Sequence, residues 1–188
     1  MISVELLSPA KNAEYGKAAI LCGADAVYIG APNFGARASA SNSIADVEQL
    51  IRVAHLYKAK VYATLNTILY DNEIESAGKL TKQLYDIGID ALIIQDFGLL
   101  SYGLPPVPIF ASTQTHNRSP EKIAFLEKVG FQRAILAREL NISEIEEIRR
   151  HTNLELESFV HGALCVSYSG QCYMSQSDRK STRLNSSH

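Results

Sequence analysis

The chain alternates short β-forming runs with amphipathic helical segments, and this alternation restricts its fold more than any other feature. Seven runs combine β-branched or aromatic residues with flanking turn residues, as strands do. They are residues 4–8, 26–30, 60–66, 91–95, 109–113, 133–137 and 154–160. Because helical patterns separate most of these runs and no hairpin signal joins two of them, the sequence predicts an α/β fold with a parallel sheet.

Capping residues mark where the intervening helices begin and end. Ser43 and Asp46 have the spacing of a capping box, and Ser119-Pro120 supplies a cap and a first-turn proline. Asn141 precedes another amphipathic segment. Three glycines are placed to end helices: Gly23, Gly88 and Gly130. Helices are therefore expected in the crossover connections that parallel strands require.

Two architectures fit this pattern, an open doubly wound sheet and a (β/α)8-type barrel. The turn after the first strand, residues 8–12, lacks the glycine-rich loop of dinucleotide-binding folds. Residues that share a strand face include Tyr62, Thr64 and Asn66, and also Ser112 and Gln114. Doubly wound strands are usually apolar on both faces, whereas polar strand ends suit a barrel mouth. The sequence favours a parallel (β/α)8-type, TIM-like barrel that is incomplete because the chain is truncated.

The end of the chain does not read as protein-coding sequence. Residues 178–188 correspond, codon for codon, to an in-frame translation of a common sequencing-library adapter. We therefore expect residues 1–177 to be a partial TIM-like barrel domain and residues 178–188 to be an artefact.

Charge and hydropathy limit the partners. The net charge of −2 becomes −4 without residues 178–188, which argues against nucleic-acid binding through bulk electrostatics but permits a local basic patch. No apolar run approaches the roughly 20 residues of a membrane helix, and no signal-peptide pattern opens the chain. These observations predict a cytoplasmic protein without a membrane partner, and they leave its oligomeric state open.

Polar residues at strand ends are the candidates for chemistry, because active sites of barrels lie at the carboxyl ends of the strands. Those at or just after such ends are Asn66, Asp96, Gln114, Arg138, Glu139 and His161. In the seventh strand, alternation directs Glu157 and His161 inward if Leu154 and Leu156 face the helices. We take Glu157, His161 and Arg138 as candidate catalytic residues, and Asn66, Gln114 and Arg138 as candidate substrate-binding residues. Two structural alternatives remain: a Glu157–Arg138 ion pair and a backbone-bonded His161.

Three cysteines in a chain without a secretory signal suggest thiols, a metal site or a redox site rather than structural disulfides. Cys22 lies on a helical apolar stripe, which predicts a core residue. Cys165 and Cys172 are separated by six residues, a spacing that is weak evidence for a metal site when taken alone.

The residues around these cysteines resemble the motif of the peptidase U32 family. Residues 157–175 contain its glutamate, its phenylalanine, His161-Gly162-Ala163-Leu164-Cys165, then Ser169-Gly170-Gln171-Cys172 and a serine. The resemblance extends over residues 3–177. Its further matching segments are residues 5–10, 23–30, 111–114 and 136–140. Residues 33–43 and 64–69 look most like the branch that forms 5-hydroxycytidine in 23S ribosomal RNA.

This resemblance implies an iron–sulfur-dependent RNA hydroxylase that uses prephenate as cosubstrate and acts on ribosomal RNA or its precursor. It implies that Cys165 and Cys172 are two of four thiolate ligands of a [4Fe–4S] cluster, with the other two further along a longer parent chain. Arg138 would suit a carboxylate such as that of prephenate.

Two other readings of the chain stay open. One is a U32-type, collagenase-like peptidase. The sequence has neither a His-Glu-x-x-His helix nor a Gly-x-Ser-x-Gly elbow, and Cys165 with His161 is its conceivable dyad. The other is an inactive incomplete barrel with an unpaired strand edge.

Overall fold

The computed structural model describes residues 4–32, 34, 42–162, 165 and 167–171. Within these residues, seven strands form one parallel sheet whose spatial order follows the sequence. The strands are β1 (Leu7–Ala10), β2 (Ala26–Gly30), β3 (Lys60–Leu65), β4 (Ala91–Ile94), β5 (Ile109–Ala111), β6 (Arg133–Ile135) and β7 (Glu155–Glu157). A doubly wound sheet would reverse its strand order at a switch point. The uninterrupted order therefore confirms the barrel-type α/β fold.

Helices cover the outer side of the sheet. They are α1 (Ala13–Leu21), α2 (Ile44–Leu56), α3 (Ile74–Asp86), α4 (Pro120–Val129) and α5 (Ile142–Arg150). Short 3₁₀ helices, Phe97–Tyr102 and Thr113–Thr115, follow β4 and β5. A capping box begins α2 at Ser43, Ser119 caps α4 and α5 begins after Asn141, as predicted; Asn141 also forms a capping box with Glu144. None of the helices in the described ranges is both long and apolar enough to cross a membrane.

Alternate residues of each strand supply two separate apolar layers. In β3, Val61, Ala63 and Leu65 belong to the large core between sheet and helices. Tyr62 points the other way, into a smaller cluster on the concave face of the sheet. There its ring meets the ring of Phe110 edge-on, with centroids 5.1 Å apart. The predicted inward face of β3 is therefore the interior face of a barrel.

Contacts across this interior show that the sheet is strongly curled. Arg133 in β6 donates to Glu5, just before β1, at 2.7 Å. The Tyr62 hydroxyl in β3 donates to the same carboxylate at 2.9 Å. Four strands separate β1 from β6 within the sheet. A flat sheet would hold β1 and β6 well over 15 Å apart at about 4.8 Å per strand, so the seven strands must form a curved half-barrel.

Three helix-to-strand junctions repeat one arrangement. At each, the residue before a strand accepts a hydrogen bond from the backbone N–H at the start of the preceding strand. The pairs are Leu6 N–H with Asp25 at 2.8 Å, Val61 N–H with Asp90 at 2.7 Å, and Ile109 N–H with Gln132 at 2.7 Å. A left-handed glycine stands two residues before each acceptor, at 23, 88 and 130. This junction fixes how far neighbouring strands are shifted along their axes relative to each other.

Both end strands differ from their predicted limits. β1 begins at Leu7 rather than at residue 4, since Val4 is exposed and the Leu6 N–H bonds to the Asp25 side chain. β7 ends at Glu157 rather than at residue 160, and Val160 is 88% exposed.

Candidate functional site

The carboxyl ends of β5 and β6 are tied together by a buried asparagine. The Asn117 side-chain amide donates to the carbonyl oxygens of Ser112 and Ile135, each at 2.9 Å. The backbone carbonyl oxygen of Asn117 accepts from the Ala137 N–H at 2.9 Å. These bonds hold two strand ends at the mouth at a fixed separation. Sequence reasoning missed Asn117, whose only signal was its place shortly after a polar strand end.

The predicted substrate-binding amides lie at the same end of the sheet. Asn66 directly follows β3 and is half-buried. Gln114 is half-buried in the 3₁₀ helix after β5, where its backbone N–H donates to the Ser112 hydroxyl. Asp96 has a structural role, since its carboxylate accepts from the backbone N–H groups of Leu69 and Gly98, each at 2.8 Å.

Arg138 and Cys165 come together beside this loop. The thiol of Cys165 is exposed, and the backbone N–H of Ser167 together with the Arg138 guanidinium lowers its pKa. A lowered pKa raises the fraction of thiolate, the form that binds metals and acts as a nucleophile. The sequence indicated Arg138 and Cys165 as separate candidates. The structure adds that they are in contact.

The ion pair predicted between Glu157 and Arg138 is wrong. Glu157 pairs with Arg133 at 3.2 Å. In the sheet register Glu157 lies opposite Ile135. Arg133 is two residues before Ile135 in β6, so it lies on the same interior face as Glu157, nearer the amino end of the strand. Arg138 lies beyond the end of β6 and reaches Cys165 instead.

Arg133 is the centre of a buried charge network at the amino-terminal half of the barrel interior. Its side chain is 9% exposed and also contacts Glu5 and Glu155, each at 2.7 Å. The guanidinium lies over the Phe110 ring, 4.4 Å from its centroid. Burial raises the pKa of Glu157, whereas hydrogen bonds from Arg133 and Tyr62 overcome burial and lower the pKa of Glu5. Active sites of barrels lie at the opposite end, so this network has the position of a structural one.

Two further sequence expectations do not hold. His161 lies four residues beyond the end of β7 and is exposed, so strand alternation does not direct it into the barrel interior. Cys22 is exposed in the turn after α1 rather than buried in the core. Since α1 runs from the carboxyl end of β1 to the amino end of β2, Cys22 lies at the opposite end of the barrel from Cys165.

Within the described ranges, no group of three or more His, Cys, Asp or Glu side chains is arranged to hold a metal ion. Cys165 lies within those ranges, whereas Cys172 does not. Residues 178–188 and most of residues 33–43 also lie outside them. The described mouth therefore presents one thiol of lowered pKa, an adjacent guanidinium and two half-buried amides.

Comparisons with known proteins agree on one family. Residues 11–184 match peptidase family U32. Over 182 residues the chain is 53% identical to the 23S rRNA 5-hydroxycytidine C2501 synthase of Escherichia coli (strain K12). It is 35% identical to the tRNA hydroxylation protein P1 of Bacillus subtilis (strain 168). It is 37% identical to the uncharacterized protease MJ0090 of Methanocaldococcus jannaschii.

These matches cover nearly all of this chain but less than half of each relative. These matches include 96%, 91% and 93% of this chain but 28%, 42% and 44% of the respective relatives. The solved structure of the U32 peptidase Mk0906 superposes with a TM-score of 0.69 over 83% of this chain and 68% of that one, at 16% identity. That likeness supports the fold, and the sequence matches support the family. The chain belongs to peptidase family U32.

Proposed function

We propose that this chain is the barrel portion of an RNA hydroxylase that modifies cytidine in 23S ribosomal RNA or its precursor. The observation that carries the proposal is 53% identity, across 96% of the chain, to an enzyme named for forming 5-hydroxycytidine in that RNA. Relatives named for tRNA hydroxylation, at 35% and 37% identity, support RNA as the substrate class. An RNA substrate also favours a cytoplasmic location.

We further propose that Cys165 and Cys172 supply two thiolates to a [4Fe–4S] cluster. Cys165 fits this role because the Ser167 N–H and Arg138 favour its thiolate form. Such a cluster takes four cysteine thiolates, and Cys22 cannot contribute from the opposite end of the barrel. The other two would come from a longer form of the protein, for which the greater length of the relatives leaves room. When bound, the cluster would supply electron transfer.

Arg138 is the best candidate for orienting a carboxylate cosubstrate such as prephenate. Its guanidinium offers five N–H donors, so it can bind a carboxylate through two of them and still contact Cys165. The half-buried amides of Asn66 and Gln114 can donate to and accept from a nucleobase or cosubstrate at the same mouth. In this proposal these three residues bind and orient, and none of them transfers a proton.

The proposal is tested in the longer parent protein, purified without oxygen. Cys165→Ser and Cys172→Ser should each lower bound iron and acid-labile sulfide. In cells, both should abolish the cytidine product that is heavier by one oxygen atom in digested 23S RNA. Cys22→Ser is the matched control, since Cys22 is exposed at the other end of the barrel. Hydroxylation that persists in an iron-free Cys165→Ser protein would exclude the cluster.

Peptidase activity is the second candidate because the family name and the protease relative suggest it. Its conceivable dyad is Cys165 with His161, yet the groups that act on the Cys165 thiol are Ser167 and Arg138. In the same preparations, His161→Ala should leave RNA hydroxylation intact if His161 serves only as the peptidase base. Cleavage of a protein substrate that requires both Cys165 and His161 would favour the peptidase.

A further inference from the structure

Ser169 fastens the turn between the two site cysteines to the barrel. Ser169 is 1% exposed, and all three of its polar groups are engaged. Its carbonyl oxygen lies 2.6 Å from His116 Nδ1, and its N–H donates to the Glu139 carboxylate. Its hydroxyl accepts from the Arg138 backbone N–H at 3.3 Å. Ser169 is therefore held by the loops after both β5 and β6.

The shape of the contact is as specific as its hydrogen bonds. Gly170 has φ +81°, and a Cβ there would lie 2.7 Å from the His116 Cβ and 3.0 Å from the Gln114 carbonyl oxygen. His116 itself has φ +62°, an uncommon backbone conformation for a residue with a side chain. Backbone of the turn thus lies directly on backbone of the β5 loop, and only glycine permits that approach.

The contact with Ser169 also determines which ring nitrogen of His116 carries a hydrogen. A carbonyl oxygen only accepts, so His116 Nδ1 must carry the hydrogen. Two side chains form hydrogen bonds with the Ser169 backbone. His116 belongs to the loop that carries Gln114, whereas Glu139 follows Arg138 directly. His116 therefore joins the proposed substrate-binding loop to the turn that runs from Cys165 towards Cys172.

We propose that His116 is a positioning residue that holds the Ser169–Gly170 turn at the barrel mouth, in the stretch of chain that joins the proposed ligands Cys165 and Cys172. The role of these cysteines rests on the proposed function, whereas the fastening of the turn does not. Neither the family motif nor the spacing of the cysteines pointed to residue 116. The contact is visible only because the loops after β5 and β7 meet in space.

Two substitutions distinguish the role of the His116 side-chain donor from the role of its backbone conformation. His116→Gly removes the donor and keeps a residue that tolerates positive φ. His116→Asn restores a donor, because asparagine Nδ2 lies as many bonds from the backbone as histidine Nδ1, and asparagine also tolerates positive φ. His151→Ala is the matched control, since the exposed His151, which directly follows α5, has its Nδ1 2.8 Å from a carbonyl oxygen, that of Glu147.

Hydrogen exchange read by mass spectrometry on the full chain reports the turn directly. His116→Gly should speed exchange of the peptide containing residues 167–171 by about tenfold, the scale of one hydrogen bond. His116→Asn and His151→Ala should stay near wild type, as should the β3 peptide in every variant. In the longer protein, His116→Gly should also lower the iron retained per chain, and His116→Asn should recover it.

Each outcome decides a different claim. Unchanged exchange at residues 167–171 in His116→Gly would overturn the positioning role, and so would a failure of His116→Asn to restore it. Faster exchange with undiminished iron would overturn the link between the turn and the cysteines. A wild-type longer protein that holds no iron–sulfur cluster would instead contradict the proposed function, while the exchange data would still judge whether His116 fastens the turn.

Discussion

Glu157 shows how far a single residue can be placed from sequence. Alternation along the seventh strand correctly directed it to the barrel interior, where 18% of its side chain remains exposed. Its partner could not be predicted, because Arg133 and Glu157 are joined by the register of β6 and β7, which no local pattern encodes. Burial raises the pKa of the Glu157 carboxyl despite the nearby guanidinium.

Replacement of this carboxyl should change how stability depends on pH. With its pKa raised in the folded state, Glu157 keeps a proton that the unfolded chain releases from about pH 4.3 upward. The free energy of unfolding of wild type, relative to Glu157→Gln, should therefore fall as pH rises through that window and then level off. Urea titrations from pH 4 to pH 8 measure this difference.

The exposed Glu146 on α5 supplies the control for this pH series. Glu146→Gln should change stability by less than about 0.5 kcal/mol, because water screens its pair with Arg150. A wild-type to Glu157→Gln difference that is flat across the series would contradict the raised pKa.

At the scale of elements, local chemistry predicted where helices begin but not how neighbouring strands are aligned. The capping box at Ser43 and the helix start at Asn141 were readable because their capping bonds join residues three positions apart. The acceptors that fix the shift between neighbouring strands were not, since Asp90 meets Val61 across a whole helix. Similarly, the contact of His116 with Ser169 spans 53 residues, which is why the candidate site could be listed by strand position but not assembled.

The repeated junction predicts a graded response at Asp90. Asp90→Ala leaves the Val61 N–H without its partner and should lower the free energy of unfolding by about 1–3 kcal/mol. Asp90→Asn retains an acceptor oxygen and should cost less. Asp86→Ala, at the exposed end of α3, should have an effect within about 0.5 kcal/mol. Equal losses for Asp90→Ala and Asp90→Asn would show that the acceptor does not fix the strand; urea denaturation distinguishes these cases.

Across the whole molecule, the sequence predicted a parallel barrel, and the structure shows what spans its interior. Arg133 looked like an ordinary residue at the start of a strand, yet its guanidinium joins Glu155 and Glu157 in the neighbouring strand to Glu5 before β1. A bond of this kind, over 128 residues, exists only after the sheet has curled. This charge network lies away from the barrel mouth. The contacts that span the curled sheet and the residues of the candidate site are therefore at opposite ends of the barrel.

Arg133→Met tests whether this network holds the curl. The variant keeps the apolar contact with Phe110 but leaves the Glu157 carboxylate without its cation and Glu5 with its Lys60 partner alone among the described ion pairs, and it should lower the free energy of unfolding by about 3 kcal/mol. Arg150→Met removes an arginine that is 67% exposed and should cost about 0.5 kcal/mol. Adding Glu157→Gln to Arg133→Met should recover part of the loss, because one unpaired buried charge disappears. Chemical denaturation of these three variants and of wild type measures the free energy of unfolding of each. Equal losses for Arg133→Met and Arg150→Met would mean that apolar packing alone curves the sheet.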